Sequence, residues 1–166
     1  MSMEQYEYAP ATPETLRQIW EKNIADHPGD DSWEAWRDVI TAYNEKGLCQ
    51  TFIVCCCGKP IGEGTLIFAP ECEAISGRTA LADNRKTANI NALRIDKAHE
   101  GKGHISRLVK LMEQAAKARG YDTLTIGAEA REARNLAIYL HWGYRRFVQS
   151  AGEDGALVLY YAKELK

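Results

Sequence analysis

The hydrophobic pattern of this chain changes from a helical to an extended period at Leu48. Before that point, apolar residues recur at the spacing of two amphipathic helices. Thr12, which proline follows, is predicted to cap the first helix, and Asp31 with Glu34 is predicted to open the second as a capping box. Gly47 is expected to end that helix. Two helices are therefore predicted before the main run of strands.

After Leu48, extended and helical patterns alternate. The predicted elements are strands at 51–57, 60–68 and 87–95, a helix at 105–119, a strand at 123–128, a helix at 133–141, and strands at 144–148 and 156–162. Residues 69–86 are polar with scattered Pro, Gly and Asn, so we expect a loop that orders only in part. With a strand near the N-terminus, the order is β-α-α-β-β-β-α-β-α-β-β. This order predicts an α/β (mixed α+β) fold, a mixed sheet with helices on its faces.

Length and charge limit the domains and the partners. The 166 residues, 45% hydrophobic and 27% charged, suit one domain, 1–166, and contain no repeat or linker. A formal net charge of -2 gives no general attraction to nucleic acid or to an anionic membrane. No apolar run has the length of a membrane span, and the N-terminal residues lack the zones of a signal peptide. We therefore expect a cytoplasmic protein with no nucleic-acid partner and no membrane partner.

Three of the five cysteines are consecutive, at Cys55, Cys56 and Cys57. They lack the CxxC spacing of zinc and redox sites, and free cysteine behaves as a small apolar residue. Apolar surroundings keep the pKa of a thiol high. The expectation is buried, unreactive thiols, with no metal site and no covalent intermediate on cysteine.

The segment Glu100–Ser106, here called the glycine loop, lies between a predicted strand and an amphipathic helix. Its two glycines let the backbone approach a ligand closely, and the helix N-terminus supplies unpaired amides with a partial positive charge. Cationic side chains lie nearby at Lys97, Lys102, Arg107 and Lys110. The expected ligand is a pyrophosphate, and a purely structural turn is the alternative. The nucleotide pattern GxxxxGK(S/T) and the dinucleotide pattern GxGxxG are both absent.

These features resemble the GCN5-related N-acetyltransferase (GNAT) family. That family carries an Arg/Gln-x-x-Gly-x-Gly/Ala loop after a central strand, and later a tyrosine four residues before a Gly-Phe/Tyr pair that opens the next strand. The matching positions are Ile95 at the strand end, Gly101, Gly103, Tyr139, Gly143 and Tyr144. The resemblance covers about 48–165 and is most specific over 90–147.

The resemblance implies a GNAT-like fold with a mostly antiparallel sheet of about six to seven strands and about four helices. It also implies acetyl-CoA as co-substrate, no metal, and transfer of an acetyl group to a primary amine by direct attack in a ternary complex. The pantetheine arm is expected to pair with the backbone of β-strand residues as an added strand. The implied coenzyme-binding residues are Leu93, Arg94, Ile95, Glu100, Gly101, Lys102, Gly103, His104, Ile105, Ser106, Asn135 and Tyr139.

Tyr139 is the implied general acid on the departing thiolate, since a phenol can donate that proton. The acceptor amine must lose a proton before it attacks. Glu63 and Glu129 are the candidate general bases, and a water chain is the alternative to both. His99 and His104 are expected to face phosphate or solvent rather than to act as the base.

The sequence departs from the family pattern at three positions. Glu100 stands where the family usually has Arg or Gln, Ile105 where it has Gly or Ala, and Glu132 where Asn is common. An acidic side chain beside a pyrophosphate weakens binding. A catalytically weak acyl-CoA-binding sensor or partner module of the same fold is therefore the alternative function. A nucleic-acid-binding domain is disfavoured, because the basic residues are few and acids are interspersed among them.

The first two helices are expected to build the acceptor side. Acidic and aromatic side chains concentrate there, at Asp26, Asp30, Asp31, Glu34, Asp38, Trp33 and Trp36. Carboxylates beside aromatic faces suit a small cationic amine, which ranks above a protein or peptide amine. The alternative is that the acids are caps and surface residues while the tryptophans pack in the core. A monomer or a homodimer is expected.

Overall fold

The computed structural model describes residues 3–166. Its elements are β1 (Tyr6–Pro10), α1 (Pro13–Ala25), α2 (Ser32–Glu45), β2 (Cys49–Cys56), β3 (Lys59–Ile67), β4 (Thr87–Ile95), α3 (His104–Ala118), β5 (Thr123–Glu129), α4 (Ala133–His141), β6 (Arg146–Glu153) and β7 (Ala156–Glu164). The strands form one mixed sheet in the order β1-β2-β3-β4-β5-β7-β6. Strands β4 and β5 are parallel, while β7 is antiparallel to both β5 and β6. The predicted element order and fold class are confirmed.

Contacts divide the chain into two compact units. The first comprises the described chain up to Leu66 together with Ala92–Met112. The second comprises Ile67–Asn91 and Glu113–Lys166. Within residues 3–166, no helix has both the length and the apolarity that a membrane span requires.

In the first unit, helix α1 begins as predicted. Thr12 accepts a hydrogen bond from the Thr15 amide, and the Thr15 side chain accepts one from the Thr12 amide, which completes a capping box. One face of α1 packs its buried side chains, Ile19 and Trp20 among them, against Ile53 of β2. This packing fixes the face of α1 that turns away from solvent.

The capping box predicted at the start of α2 is wrong. Asp31 has helical backbone angles, with φ of -68°, and makes no capping hydrogen bond. Asp30 takes that role instead, because its Oδ1 accepts from the Ser32 amide at 3.0 Å and from the Ser32 hydroxyl. The carboxylate one position earlier therefore satisfies the free amide.

Strand β4 changes its backbone conformation within the sheet. Its pairing with β5 runs from Thr87 opposite Thr123 to Ile90 opposite Ile126. Two residues further on, Ala92 has a φ of +56°, a left-handed conformation that is uncommon for alanine in a strand. The strand is thus irregular just before the residues predicted to meet the coenzyme.

In the second unit, residues 69–86 form a loop without helix or strand, as predicted, but the expectation that this loop orders only in part is wrong. The segment folds back through successive turns and buries five apolar side chains, those of Ala69, Cys72, Ile75, Leu81 and Ala82. Asp83 closes its end, because one carboxylate oxygen accepts the amides of Arg85, Lys86 and Thr87 at 2.9 Å each. Buried apolar surface and satisfied amides order a segment that has no regular period.

The last strands are also longer than predicted. Strand β6 begins at Arg146 and continues to Glu153, opposite Ala156 of β7, with an irregularity between Phe147 and Gln149. Tyr144, which precedes β6, is fully buried, and its hydroxyl donates to Glu113 at 3.2 Å. Burial and the adjacent carboxylate raise the pKa of Tyr144 well above its ordinary range.

Candidate functional site

The glycine loop is exposed from Glu100 to Gly103, whereas His104 is buried and Ile105 and Ser106 are half-buried. Gly101 and Gly103 have φ of +76° and +82°, which glycine adopts without strain. From Gly101 to Ser106 the amides find no carbonyl partner within residues 3–166, and Arg107 is the next residue whose amide donates, to the Gly103 carbonyl. Unpaired amides at the start of a long helix form a geometry that can hold an anion.

Charges around the loop are mixed. Lys102 lies 3.6 Å from the carboxylate of Glu4, and both side chains are about half exposed. Glu100 is exposed at the start of the loop. An exposed pair of this kind contributes little energy, so Lys102 is available to another anion.

The expectation that His104 faces phosphate or solvent is wrong. Its side chain is buried at the start of α3, where Nδ1 and the Tyr8 hydroxyl share a hydrogen bond of 2.6 Å. Burial is the main cause that lowers the pKa of His104, so the ring is neutral at physiological pH.

A cavity of about 670 Å³ lies in the first unit, between α1, β3 and β4. This volume falls in the range of small-molecule sites. The cavity collects Glu63, Leu93, Arg94, Ile95 and Glu100 from the predicted site residues. Its wall also includes Ile19, Lys22, Asn23, Asp26, His27, Ile61, Gly62, Asp96, Lys97 and Ala98.

Glu63 is a buried carboxylate in the wall of this cavity. Its side chain is 1% exposed, and its Oε2 accepts a hydrogen bond of 2.7 Å from the Asn23 amide group. Its Oε1 lies 3.3 Å from Nη1 of Arg94. Burial raises the pKa of Glu63, and the charge of Arg94 and the Asn23 hydrogen bond oppose that rise without cancelling it. A carboxylate whose pKa is raised toward neutrality suits a general base.

Arg94 is held by aromatic faces. Its guanidinium carbon lies 4.9 Å from the centre of the Trp33 ring and 5.7 Å from that of Trp20. The side chain is 37% exposed, although Nη1 itself is buried. Gly62 permits the close approach of β4 here, because an added Cβ would lie 2.7 Å from the Arg94 carbonyl.

Three of the five acidic residues expected to attract a cation, Asp26, Asp30 and Asp38, already have partners in the first unit. Lys22 bridges Asp26 and Asp96 at 2.7 and 2.6 Å. Asp30 accepts from Ser32. Trp33 stacks on His27, with ring centroids 3.9 Å apart, and its ring also makes the cation–π contact with Arg94. The chain's own groups thus occupy much of the aromatic and acidic surface.

The remaining predicted site residues belong to the second unit. Tyr139 is half-buried on α4, its ring centre 5.6 Å from that of Trp142, and burial raises its pKa. Asn135, one turn earlier, is exposed. Glu129, at the end of β5, forms an ion pair of 2.6 Å with Arg131.

The cysteine run is buried only in part. Cys55 and Cys56 are half-buried on β2, and burial raises the pKa of both thiols. The expectation of burial is wrong for Cys57, which is exposed in the turn after the strand. Raised pKa values make Cys55 and Cys56 poor nucleophiles.

One group in residues 3–166 has the spacing of metal ligands, namely Glu4, Cys56 and His99, whose ligand atoms lie within 4.8 Å of one another. The Tyr6 hydroxyl donates to Glu4 at 2.5 Å and lies 3.2 Å from Nδ1 of His99. These groups therefore bind one another through Tyr6, and the expectation that the protein uses no metal stays a prediction.

The sequence matches the model of the Acetyltransferase (GNAT) family over residues 12–144. The chain belongs to the GNAT family. The match covers α1 to Tyr144 and so includes the cavity, the glycine loop and Tyr139. No curated protein sequence matches this GNAT chain at a significant level.

Solved structures show the same fold. A GNAT-family protein from Desulfovibrio desulfuricans is 9% identical, with a TM-score of 0.72 over 98% of this chain and 100% of its own. A GNAT acetyltransferase from Elizabethkingia anophelis, solved with acetyl-CoA bound, is 16% identical, with a TM-score of 0.61 over 96% of this chain and 98% of its own. A protein from Salmonella typhimurium, solved with its cofactor acetyl-CoA, is 13% identical, with a TM-score of 0.67 over 97% of this chain and 94% of its own. The GNAT fold class is confirmed, and acetyl-CoA is a ligand of relatives.

Sequence reasoning missed Asn23, Lys22 and Asp96 as parts of the cavity. Asn23 had a signal, since it is a polar residue on the apolar face of α1 beside Ile19 and Trp20, and it is buried in the structure. The sequence gives no signal for the pairing of Lys22 with Asp96, because the two residues are far apart along the chain.

Proposed function

We propose that this GNAT protein transfers the acetyl group of acetyl-CoA to a primary amine of a small acceptor by direct attack in a ternary complex. The observation that carries the proposal is Glu63, a buried carboxylate with a raised pKa in the wall of a ligand-sized cavity. An acceptor amine is mostly protonated at neutral pH, and a group of this kind can take its proton.

The coenzyme would bind through backbone groups. We propose that the pantetheine arm pairs with Leu93, Arg94 and Ile95, which follow the irregular residue Ala92 in β4. The pyrophosphate would lie on the unpaired amides of the glycine loop. Bound acetyl-CoA in the Elizabethkingia and Salmonella relatives supports this assignment.

In the reaction, Glu63 accepts a proton from the acceptor ammonium, directly or through water. The freed amine attacks the thioester carbonyl and a C–N bond forms. The tetrahedral intermediate collapses as the C–S bond breaks, and the nitrogen gives its second proton to water as the amide forms. Tyr139 stays the predicted donor of a proton to the departing thiolate. Its raised pKa keeps the phenol protonated at neutral pH, as a donor requires.

The alternative function is acyl-CoA binding without turnover. The observation that favours it is the exposed carboxylate of Glu100 at the start of the glycine loop. Calorimetry with acetyl-CoA beside a turnover assay separates the two functions. A protein or peptide amine remains a further alternative acceptor, and a cytoplasmic location and a monomer or homodimer remain predictions.

The proposal is tested by following release of the coenzyme thiol with polyamines, aminoglycosides, amino acids and peptides as acceptors. Blanks without acceptor correct for Cys57, the exposed thiol. Tyr139→Phe should lower kcat by about 10²-fold if the phenol is the general acid. Asn135 is exposed one helical turn before Tyr139, so Asn135→Ala is compared with Tyr139→Phe to separate a loss of coenzyme binding from a loss of kcat. Saturable binding of acetyl-CoA with no turnover on any amine would decide for the sensor.

A further inference from the structure

The donors of Arg94 are largely unused. A guanidinium carries five N–H groups in a planar fork. Within residues 3–166 its only polar contact is the 3.3 Å approach of Nη1 to Glu63, and Nη1 makes no hydrogen bond. A charge-assisted hydrogen bond is usually about 2.7–2.9 Å long. The fork therefore has capacity for an anionic partner at the cavity that Arg94 lines.

The position of this fork is restrained. The Trp33 and Trp20 rings, at 4.9 and 5.7 Å, hold the guanidinium over the wall of the cavity. Cation–π contacts with two indoles limit the orientations of a side chain that otherwise loses much entropy on binding. A donor fork that is already oriented binds a planar carboxylate at lower entropic cost than a free arginine does.

Two other cationic side chains line the cavity. Lys22, on α1, is engaged by Asp26 and Asp96. Lys22 offsets one of those two negative charges, and the charge that remains lies on carboxylates that are 55% and 27% exposed, where solvent screens their repulsion of an incoming anion. Lys97 is exposed, so its ammonium is less restrained than the guanidinium of Arg94 between two indole rings. Glu63 accepts from Asn23 and faces the cavity beside the guanidinium.

We infer that the acceptor carries a carboxylate close to its amine, as an α-amino acid does, and that Arg94 binds that carboxylate while Glu63 receives the amine proton. The two groups are adjacent in the wall, with Nη1 and Oε1 3.3 Å apart. An α-amino acid has its ammonium and carboxylate on the same carbon, so it matches this spacing, whereas a polyamine offers nothing for the guanidinium. The inference rests on the proposed function.

The test compares α-amino acids such as alanine, leucine and phenylalanine with their carboxamides, and with spermidine, as acceptors. The readout is the ratio of kcat/KM for acid to kcat/KM for amide, measured in the wild type and in Arg94→Gln and Arg94→Lys. A charge-assisted hydrogen bond predicts a preference for the acid of about 10- to 100-fold. Arg94→Gln should abolish that preference and Arg94→Lys should keep part of it. Because the ratio is used, any effect of Arg94 on the basicity of Glu63 cancels.

Arg37→Gln is the matched control, since Arg37 is an arginine of the same unit, on α2, whose partner is Asp38. It should leave the ratio unchanged. Thermal unfolding of each variant checks that it is folded. If Arg94→Gln is unfolded, Arg94→Lys is used as the test variant instead. Equal use of acid and amide by the wild type, or better use of spermidine, overturns the inference while the proposed function stands.

A binding measurement covers the case of no turnover. Quenching of tryptophan fluorescence, which Trp20 and Trp33 beside Arg94 should report, is followed with the same acids and amides in the presence of coenzyme A. Binding that prefers the acid and loses this preference in Arg94→Gln supports the inference even if acetyl transfer fails. If there is no turnover, equal binding of acid and amide overturns it.

Discussion

The glycine loop and the wall formed by Asn23, Glu63 and Arg94 lie in the same unit but differ in the groups that they offer to a ligand. The loop is exposed from Glu100 to Gly103, and from Gly101 to Ser106 its amides have no carbonyl partner in the described part of the chain. The wall buries a carboxylate against an amide and a guanidinium. Changes in solvated backbone cost little, whereas changes at a buried charge leave groups without partners. The two regions should therefore differ in their sensitivity to substitution.

The largest effect is expected for Glu63→Gln. Removal of a general base should lower kcat by about 10²- to 10⁴-fold, with little change in the KM for acetyl-CoA. Burial raises the pKa of Glu63, so the acidic limb of the wild-type rate profile should lie above the usual carboxyl range and be absent in the variant. Glu129→Gln is the control, because Glu129 is the other candidate base. An equal loss of rate in both variants would refute the difference claimed for Glu63.

Glu63→Gln should also change how the free energy of unfolding depends on pH. Because the pKa of Glu63 is raised in the folded state, the folded protein binds this proton more tightly than the unfolded chain does. The contribution is fully present below the unfolded pKa, near 4.5, and is lost as pH rises through the folded pKa. Denaturant unfolding at several pH values should show the free energy of unfolding of the wild type falling across that window relative to Glu63→Gln. Parallel curves would contradict it.

In the loop, Gly103→Ala should have a moderate effect. An alanine at φ of +82° costs about 1–2 kcal/mol, although no atom lies within 4 Å of the added Cβ. Relief of that strain would shift the loop, so the KM for acetyl-CoA should rise by about 5- to 10-fold. Gly58→Ala is a matched control, with the same φ and the same open space in the β2–β3 turn. It should lower stability equally and leave KM unchanged.

The smallest effect is expected for Glu100→Gln. Loss of an exposed carboxylate near the predicted pyrophosphate site should tighten acetyl-CoA binding by no more than about fivefold at low salt, and less as salt is added. Calorimetry at two ionic strengths measures the change. Glu45→Gln, an exposed glutamate at the end of α2, should have no effect. Weaker binding in Glu100→Gln would show that the loop depends on this side chain.

The same contrast explains how much the sequence could predict. The glycine loop is seven consecutive residues with local chemistry, so its place at the start of α3 was predictable. The wall joins Asn23 and Glu63, 40 residues apart, and depends on how α1 packs on the sheet. Glu63 was predicted as a candidate base, but nothing local indicates its hydrogen bond to Asn23 or its contact with Arg94.

Two further differences have the same origin. Ala92 gives no sign of positive φ, because alanine rarely adopts it outside a folded context. The packing of residues 69–86 depends on buried side chains without a period, such as Ile75 and Leu81, so pattern reading treats the segment as a loop. In both places tertiary contacts decide the conformation.

The contact between Glu63 and Arg94 also has a consequence for how the protein can diverge. A substitution at either position leaves a charge in the wall without its counterpart, and only a second change at the other position repairs it. Asn23 adds a third member, because its amide is committed to the same carboxylate. Descendants of this chain should therefore retain or exchange the three residues as a set, while exposed side chains of the loop such as Glu100 and Lys102 can be replaced singly.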